Sequence, residues 1–408
     1  VVICGLFFLA APQIMAFFPG TSVDPEGSTF LLRVMIILVA VAQLRGPFTQ
    51  ILMTANIFRI TAIGDLLGFF AYAVGMVLTV QHGYGLVGVA WSFVAQQLMP
   101  LIVVVPQAMR RLDRHAVRFV SGNVLKEFFG YSWKLQVSGT LTVLAAQGDA
   151  LFVGRFAAPQ MTAYGTGASF ATTLRNIPMN ASLPMDANIV TAIGRHGPVG
   201  ATAEAERIQR LWVRLVAGWV AVGVPAAGFG VVAWLHLGSD LPGQVAAVVL
   251  LANGITLLML VQRYWLNGLG RSRLTLSYDV IGTVVNLSLT FPLILSFGVL
   301  GTISATLVAA IVSAVYLTWV GQRRVGSPLP TPWSQVPWLD VVGAGALAAA
   351  SCWATATFVA GQLVPLGALS LLTIGAAAAP ALALYLVRVV GFRRLRGMVA
   401  GVVSRRRR

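Results

Sequence analysis

Apolar runs of twenty or so residues, separated by short polar segments, recur along the whole 408-residue chain. A hydrocarbon core of about 30 Å takes about 20 helical residues to cross, so each run predicts a transmembrane helix. Twelve are predicted, with approximate limits 2–18, 29–55, 61–81, 84–108, 133–153, 161–193, 212–235, 244–268, 275–296, 299–320, 337–361 and 365–388. Several exceed the length needed and contain Pro or Gly, as in "RGPF" at Arg45 to Phe48 and "NIPMNASLPMD" at Asn176 to Asp186, which predicts tilt or kinks.

The polar segments between the runs set the orientation. Arginines and lysines fall in alternate loops, at Arg59, at Arg110 to Lys126, at Arg195 to Arg214, at Arg271 and Arg273, at Arg323 and Arg324, and in the tail. The intervening loops, such as "QHGYG" and "SFGVLG", have none. The positive-inside rule then places both termini in the cytoplasm, and an even number of crossings agrees.

A repeat lies under the pattern. A shift of 214 positions pairs Leu52 with Leu266, Arg59 with Arg273, Thr61 with Thr275 and Asp65 with Asp279. A shift of 213 continues it, pairing "GLVG" at Gly85 to Gly88 with "GVLG" at Gly298 to Gly301. Six predicted crossings separate the copies, so the two lobes are parallel and related about an axis along the membrane normal. The expected organisation is an N-terminal lobe of about four helices at 1–108, a cytoplasmic linker at 109–132 and a C-terminal lobe of about six helices at 133–321. An extra helix pair at 333–390 and a basic cytoplasmic tail at 391–408 follow. The second lobe opens near Lys126, which places the matching start of the first about 88 residues ahead of Val1 (126 − 214 = −88). The fold expected is therefore all-α and polytopic, with two parallel pseudo-symmetric lobes and the first two of fourteen helices missing.

Composition narrows the function classes. Hydrophobic residues make up 57% of the chain and charged residues 10%, against about 25% in an ordinary soluble domain, so lipid is its main solvent. The formal charge of +16 is nearly all arginine, since Lys126 and Lys134 are the only lysines. Those charges flank apolar runs as a membrane protein's do, and they point away from nucleic acid. The tail "FRRLRGMVAGVVSRRRR" is expected to sit on anionic lipid headgroups. Cys4 and Cys352 lie far apart in apolar runs and the four histidines have no ligand spacing, so neither a disulfide framework nor a metal site is signalled.

Two stretches carry a family resemblance. "FFGYSWKLQVSGTLTVLAAQGDALFVGRFAAPQMTAYGTGASFATTLRNIPM" opens the second lobe, and "LNGLGRSRLTLSYDVIGTVVNLSLTFPLILSFGVLGT" spans its later hairpin. Together they resemble the polysaccharide flippases of the multidrug/oligosaccharidyl-lipid/polysaccharide exporter superfamily, over nearly the whole chain. The first is similar to the family's seventh and eighth helices, the second to its hairpin between helices ten and twelve. The resemblance implies translocation of an undecaprenyl-diphosphate-linked oligosaccharide across the bacterial cytoplasmic membrane by alternating access, with no catalysis. Implied partners are the polyprenyl-diphosphate-linked oligosaccharide, membrane lipids and, as candidates, a polysaccharide polymerase or glycosyltransferases. No cofactor is implied beyond coupling to an H⁺ or Na⁺ gradient or to the membrane potential.

Charges inside crossings cost about 2.5–3.5 kcal/mol on insertion scales and each asks for a partner or a watery cavity. Arg175, mid-way along the 161–193 run and on the counterpart of the family's eighth helix, is the first candidate for the pyrophosphate, because a guanidinium offers a planar fork that keeps its proton. Arg33, Arg45 and Arg263 are further candidates, nearer to helix ends or to a kink. Asn176 and Asn180 are candidates for sugar hydroxyls. Asp149 is a candidate for ion coupling, or else a structural partner of an arginine on another helix. Asp279 and Asp65, each four residues after a Thr near a cytoplasmic helix start, are expected to meet the helix dipole and headgroup water beside Arg271, Arg273 and Arg59. Two other functions stay open at this point: a cation-coupled multidrug exporter, which suits twelve helices, and a membrane glycosyltransferase or polymerase, for which "DPE" at Asp24 to Glu26 is the slim support.

Overall fold

A computed structural model describes residues 2–18, 25–54, 57–111, 122–235, 239–360 and 367–391, and these are helical with short connections. Nine helical segments among them are long and apolar enough to cross a membrane. The basic tail beyond Gly391, most of the arginine-rich stretch after Arg111 and the "DPE" loop through Asp24 lie outside the described residues.

The chain divides into two compact units, Val1–Lys126 and Glu127–Arg408. Unit 1 holds α1 (Val2–Leu9), α2 (Ala11–Ala16), α3 (Pro25–Thr54), α4 (Phe58–His82) and α5 (Gly85–Met109). Here α5 packs against both α3 and α4. The run expected to cross at 2–18 is instead two short helices, since Pro12 at the start of α2 cannot continue the hydrogen-bond ladder of α1.

The second unit contains α6 (Gly122–Phe156, which begins just before the boundary), α7 (Met161–Leu235), α8 (Leu241–Leu258), α9 (Leu260–Gly268), α10 (Ser272–Phe297) and α11 (Val299–Arg323), followed by α12 (Trp338–Ala360) and α13 (Gly367–Val389). Its main packings are α7 on α8, α10 on α11, and the α12–α13 pair on α7. One core cluster joins Trp212, Val213 and Val216 of α7 to Trp265 and Leu266 of α9 and Leu317 of α11. A second ties Ala348, Cys352, Ala378 and Tyr385 of the final pair to Val222 of α7. Small residues let these helices approach: a Cβ on Gly243 would lie 2.3 Å from the Gly228 carbonyl oxygen across the α7–α8 seam.

Three boundaries differ from those the hydrophobic pattern predicts. The expected loop 194–211 is helical apart from Gly197 (φ 67, ψ 173), so α7 is two helices meeting at a kink there. Glycine permits the left-handed turn there, Pro198 suits the first turn of the helix that follows, and Glu206–Arg210 adds an i,i+4 ion pair. Part of the expected linker, from Gly122, belongs to α6. The run 244–268 is divided at Met259 into α8 and α9.

The repeat is also visible in the backbone. Gly85 (φ 54) and Gly298 (φ 59), paired by the 213 shift, both adopt the left-handed region at the turn into the second helix of their hairpins.

Candidate functional site

The α10 helix carries a polar stripe through an apolar crossing: Thr275, Asp279, Thr283, Asn286 and Thr290 are all buried. Their spacings of four, four, three and four residues keep them on one helical face. Polar groups in a crossing must find partners inside the protein, and these do. They divide into two connected centres.

The first is acidic. Asp149 of α6 is 4% exposed, and its carboxylate accepts hydrogen bonds from Thr306 Oγ1 of α11 (2.5 Å), Thr290 Oγ1 (3.3 Å) and Asn286 Nδ2 (3.5 Å). Thr290 has one hydroxyl proton and shares it between Asp149 and Asn286 Oδ1, the latter at 2.8 Å. The arginine partner considered for Asp149 is not there among the described residues, where the carboxylate's partners are neutral groups. A carboxylate beside two hydroxyl oxygens, with an amide N–H as its third partner, offers hard oxygen donors, and its chemistry suits a proton or an alkali cation.

Arginine dominates the second centre. Arg263 of α9 donates through Nη2 to both carboxylate oxygens of Asp279, at 3.0 and 3.1 Å, and its guanidinium lies 5.0 Å from the centre of the Tyr278 ring. The expectation that Asp279 reaches headgroup water beside Arg271 and Arg273 is therefore corrected: Asp279 is 9% exposed and bound to Arg263. The short turn from Leu269 to Arg271 is the reason, because it brings α9 and α10 together with Arg263 beside Asp279. Asp65, its counterpart in the repeat, is exposed and pairs with Arg45 of α3.

Both centres border one pocket of about 190 Å³ within the second unit. Arg175, Arg263 and Asp279 line it together with Asn286 and Thr306, and Asn253, Thr256 and Ser313 add neutral polar groups. Arg175 Nε is buried with no hydrogen-bond partner among the described residues. A larger cavity of about 1100 Å³, among α7, α8 and α12, is lined by residues such as Val224, Phe229, Leu251 and Trp338. Its walls are apolar, so the polar chemistry of the unit lies in the smaller pocket.

The other candidates are spread out. Arg33 of α3 sits 5.3 Å from the Phe8 ring centre, with a buried Nε that has no partner among the described residues. Asn176 and Asn180 are exposed on α7, in line with Ser169 and Thr173, outside the pocket lining. Sequence reasoning missed Thr290, Thr306, Tyr278 and Thr256. The α10 members had a signal, the polar stripe at helical spacing. Thr306 and Thr256 had none, since their role depends on which helices pack against α10.

The first 183 residues match a protein family described as "Polysaccharide biosynthesis protein". No curated protein matches. A solved structure of the lipid II flippase MurJ in an inward closed conformation has the same fold, with a TM-score of 0.62 and 11% identity over 95% of this chain and 81% of that one. The resemblance read from the sequence is thus met by the family match over the first part of the chain and by the fold over nearly all of it. The chain is a multi-pass membrane protein, helical among its described residues and with the fold seen in that MurJ structure.

Proposed function

We propose that the protein translocates a polyprenyl-diphosphate-linked oligosaccharide across the bacterial cytoplasmic membrane by alternating access, for cell-surface polysaccharide synthesis, with both ends of this chain in the cytoplasm. The observation that carries this reading is the placing of Arg175 and Arg263, from two helices, on one polar pocket inside a membrane-spanning unit. Two guanidiniums with a free N–H among them match the oxygens of a diphosphate. The exposed stripe of Thr173, Asn176 and Asn180 on α7 supports it, because amides on a crossing helix need hydroxyl-bearing or aqueous company, as a sugar provides. The relative's printed function, flipping lipid II, supports the lipid-linked class of cargo.

Asp149, Asn286, Thr290 and Thr306 would hold the coupling ion in this reading. A cation or proton bound there would neutralise the one carboxylate in the cluster. Cation coupling also belongs to the multidrug-exporter alternative, but the arginine pocket favours an anionic cargo over the cationic or neutral compounds such an exporter takes.

The test is leaflet transfer of a labelled undecaprenyl-diphosphate oligosaccharide in proteoliposomes of the purified chain. Transfer without any new covalent product is expected. Absence of transfer, or transfer only of cationic drugs, would overturn the proposal.

A further inference from the structure

The arginine pocket has a built-in anion. Both bonds to Asp279 run from Nη2 of Arg263, so the rest of that planar fork is not tied to the carboxylate, and the Tyr278 ring supports it. Arg175 supplies a second guanidinium to the same pocket, with its Nε unsatisfied. Two cations and one carboxylate therefore face whatever anion enters.

We infer that Asp279 is a specificity residue for the cargo: held on Arg263, it sets a charge threshold that admits diphosphates and rejects the singly charged phosphodiesters of ordinary membrane lipids. The ligand class rests on the flippase reading above. A pocket of two uncompensated arginines in a membrane would be filled by phospholipid headgroups, which far outnumber any carrier lipid. With Asp279 in place, a phosphodiester reaching Arg263 exchanges one negative charge for another and meets the displaced carboxylate at close range. That exchange gains nothing, and it is the kind of repulsive element by which specificity is built. A diphosphate brings a second charge and more oxygens, so it can engage Arg263 and Arg175 together while Asp279 stays beside them.

The repeat sharpens the contrast. Asp65 also pairs with an arginine, Arg45, yet its side chain is 57% exposed, whereas that of Asp279 is 7% exposed and lines a pocket. The register of the polar stripe differs too: the 214 shift places Phe69, Tyr72 and Met76 of α4 where α10 has Thr283, Asn286 and Thr290. The second copy thus has three polar side chains on the stripe beyond its acidic residue, where the first has two apolar ones and Tyr72.

The experiment titrates the purified full chain in neutral detergent with inorganic pyrophosphate and, separately, with dihexanoyl phosphatidylglycerol. Wild type is expected to prefer pyrophosphate. Asp279→Asn is expected to bind the phosphodiester about tenfold more tightly, within the usual range of site coupling, and so to lose most of the preference, while Asp279→Glu keeps it. An unchanged preference in folded Asp279→Asn overturns the inference. Since that variant leaves Arg263 uncompensated, Arg263→Gln and the double variant Asp279→Asn/Arg263→Gln are compared as well. Removing both partners spares the fold, and the double variant is expected to bind phosphodiester severalfold more tightly than Arg263→Gln alone; equal affinity overturns the inference. A wild type without preference sinks the charge threshold whether or not the protein flips lipid. A wild type that discriminates but does not flip the labelled oligosaccharide sinks the flippase reading and leaves the threshold standing.

Discussion

Arg263 and Asp279, sixteen residues apart on α9 and α10, form a part-buried ion pair in which one guanidinium nitrogen bridges both carboxylate oxygens at 3.0 and 3.1 Å. The pair borders the same pocket as Arg175, and that adjacency ties stability and cargo recognition to one small set of charges.

Breaking this pair from one side leaves an uncompensated charge in a membrane-embedded unit. Arg263→Gln is expected to lower stability by about 3 kcal/mol, and Arg263→Gln/Asp279→Asn by clearly less than the sum of the two single changes. Thermal unfolding of the four proteins in one detergent measures this.

Arg175 is free of such a structural duty at Nε, so its loss should fall on transport. Arg175→Gln is expected to express and unfold like wild type while slowing oligosaccharide transfer about 10- to 100-fold, the value of about 1.5–3 kcal/mol for hydrogen bonds to a charged group. The leaflet-transfer assay reads it directly.

Asp149→Asn keeps the size of the side chain and the company of Thr290 and Thr306, so the fold should hold. Transfer in this variant is expected to stop responding to an imposed Na⁺ or H⁺ gradient. Rates measured with and without the gradient in the same vesicles test it; a retained response would move the coupling site elsewhere.

At the α7–α8 seam, Gly243→Ala would push a methyl against the Gly228 carbonyl at 2.3 Å, where backbone rather than a flexible side chain must move. A loss of about 1–3 kcal/mol is expected, as for overpacking in a core. Gly343→Ala, whose new Cβ meets nothing within 4 Å, serves as the control and should be neutral in the same melt.

The apolar runs alone determined that this chain is a helical membrane protein, and nearly every predicted run returns as a helix, because backbone groups in hydrocarbon have no other way to be satisfied. The repeat was equally legible, since its residues recur at a fixed shift and Gly85 and Gly298 need the same rare backbone angle. Arg175 could be singled out because a charge in mid-crossing is costly wherever it points.

What the sequence could not supply was pairing. Whether Asp279 faces water or Arg263 depends on how the short turn between α9 and α10 sets the two helices against each other. Whether Asp149 meets an arginine or three neutral groups depends on which faces of α10 and α11 are turned toward α6. Hydrophobic periodicity reports how much of a helix is apolar, but in lipid both the inner and outer faces are apolar, so it does not say which way a polar stripe points. Only tertiary packing fixes that direction, and with it the residues that share a pocket.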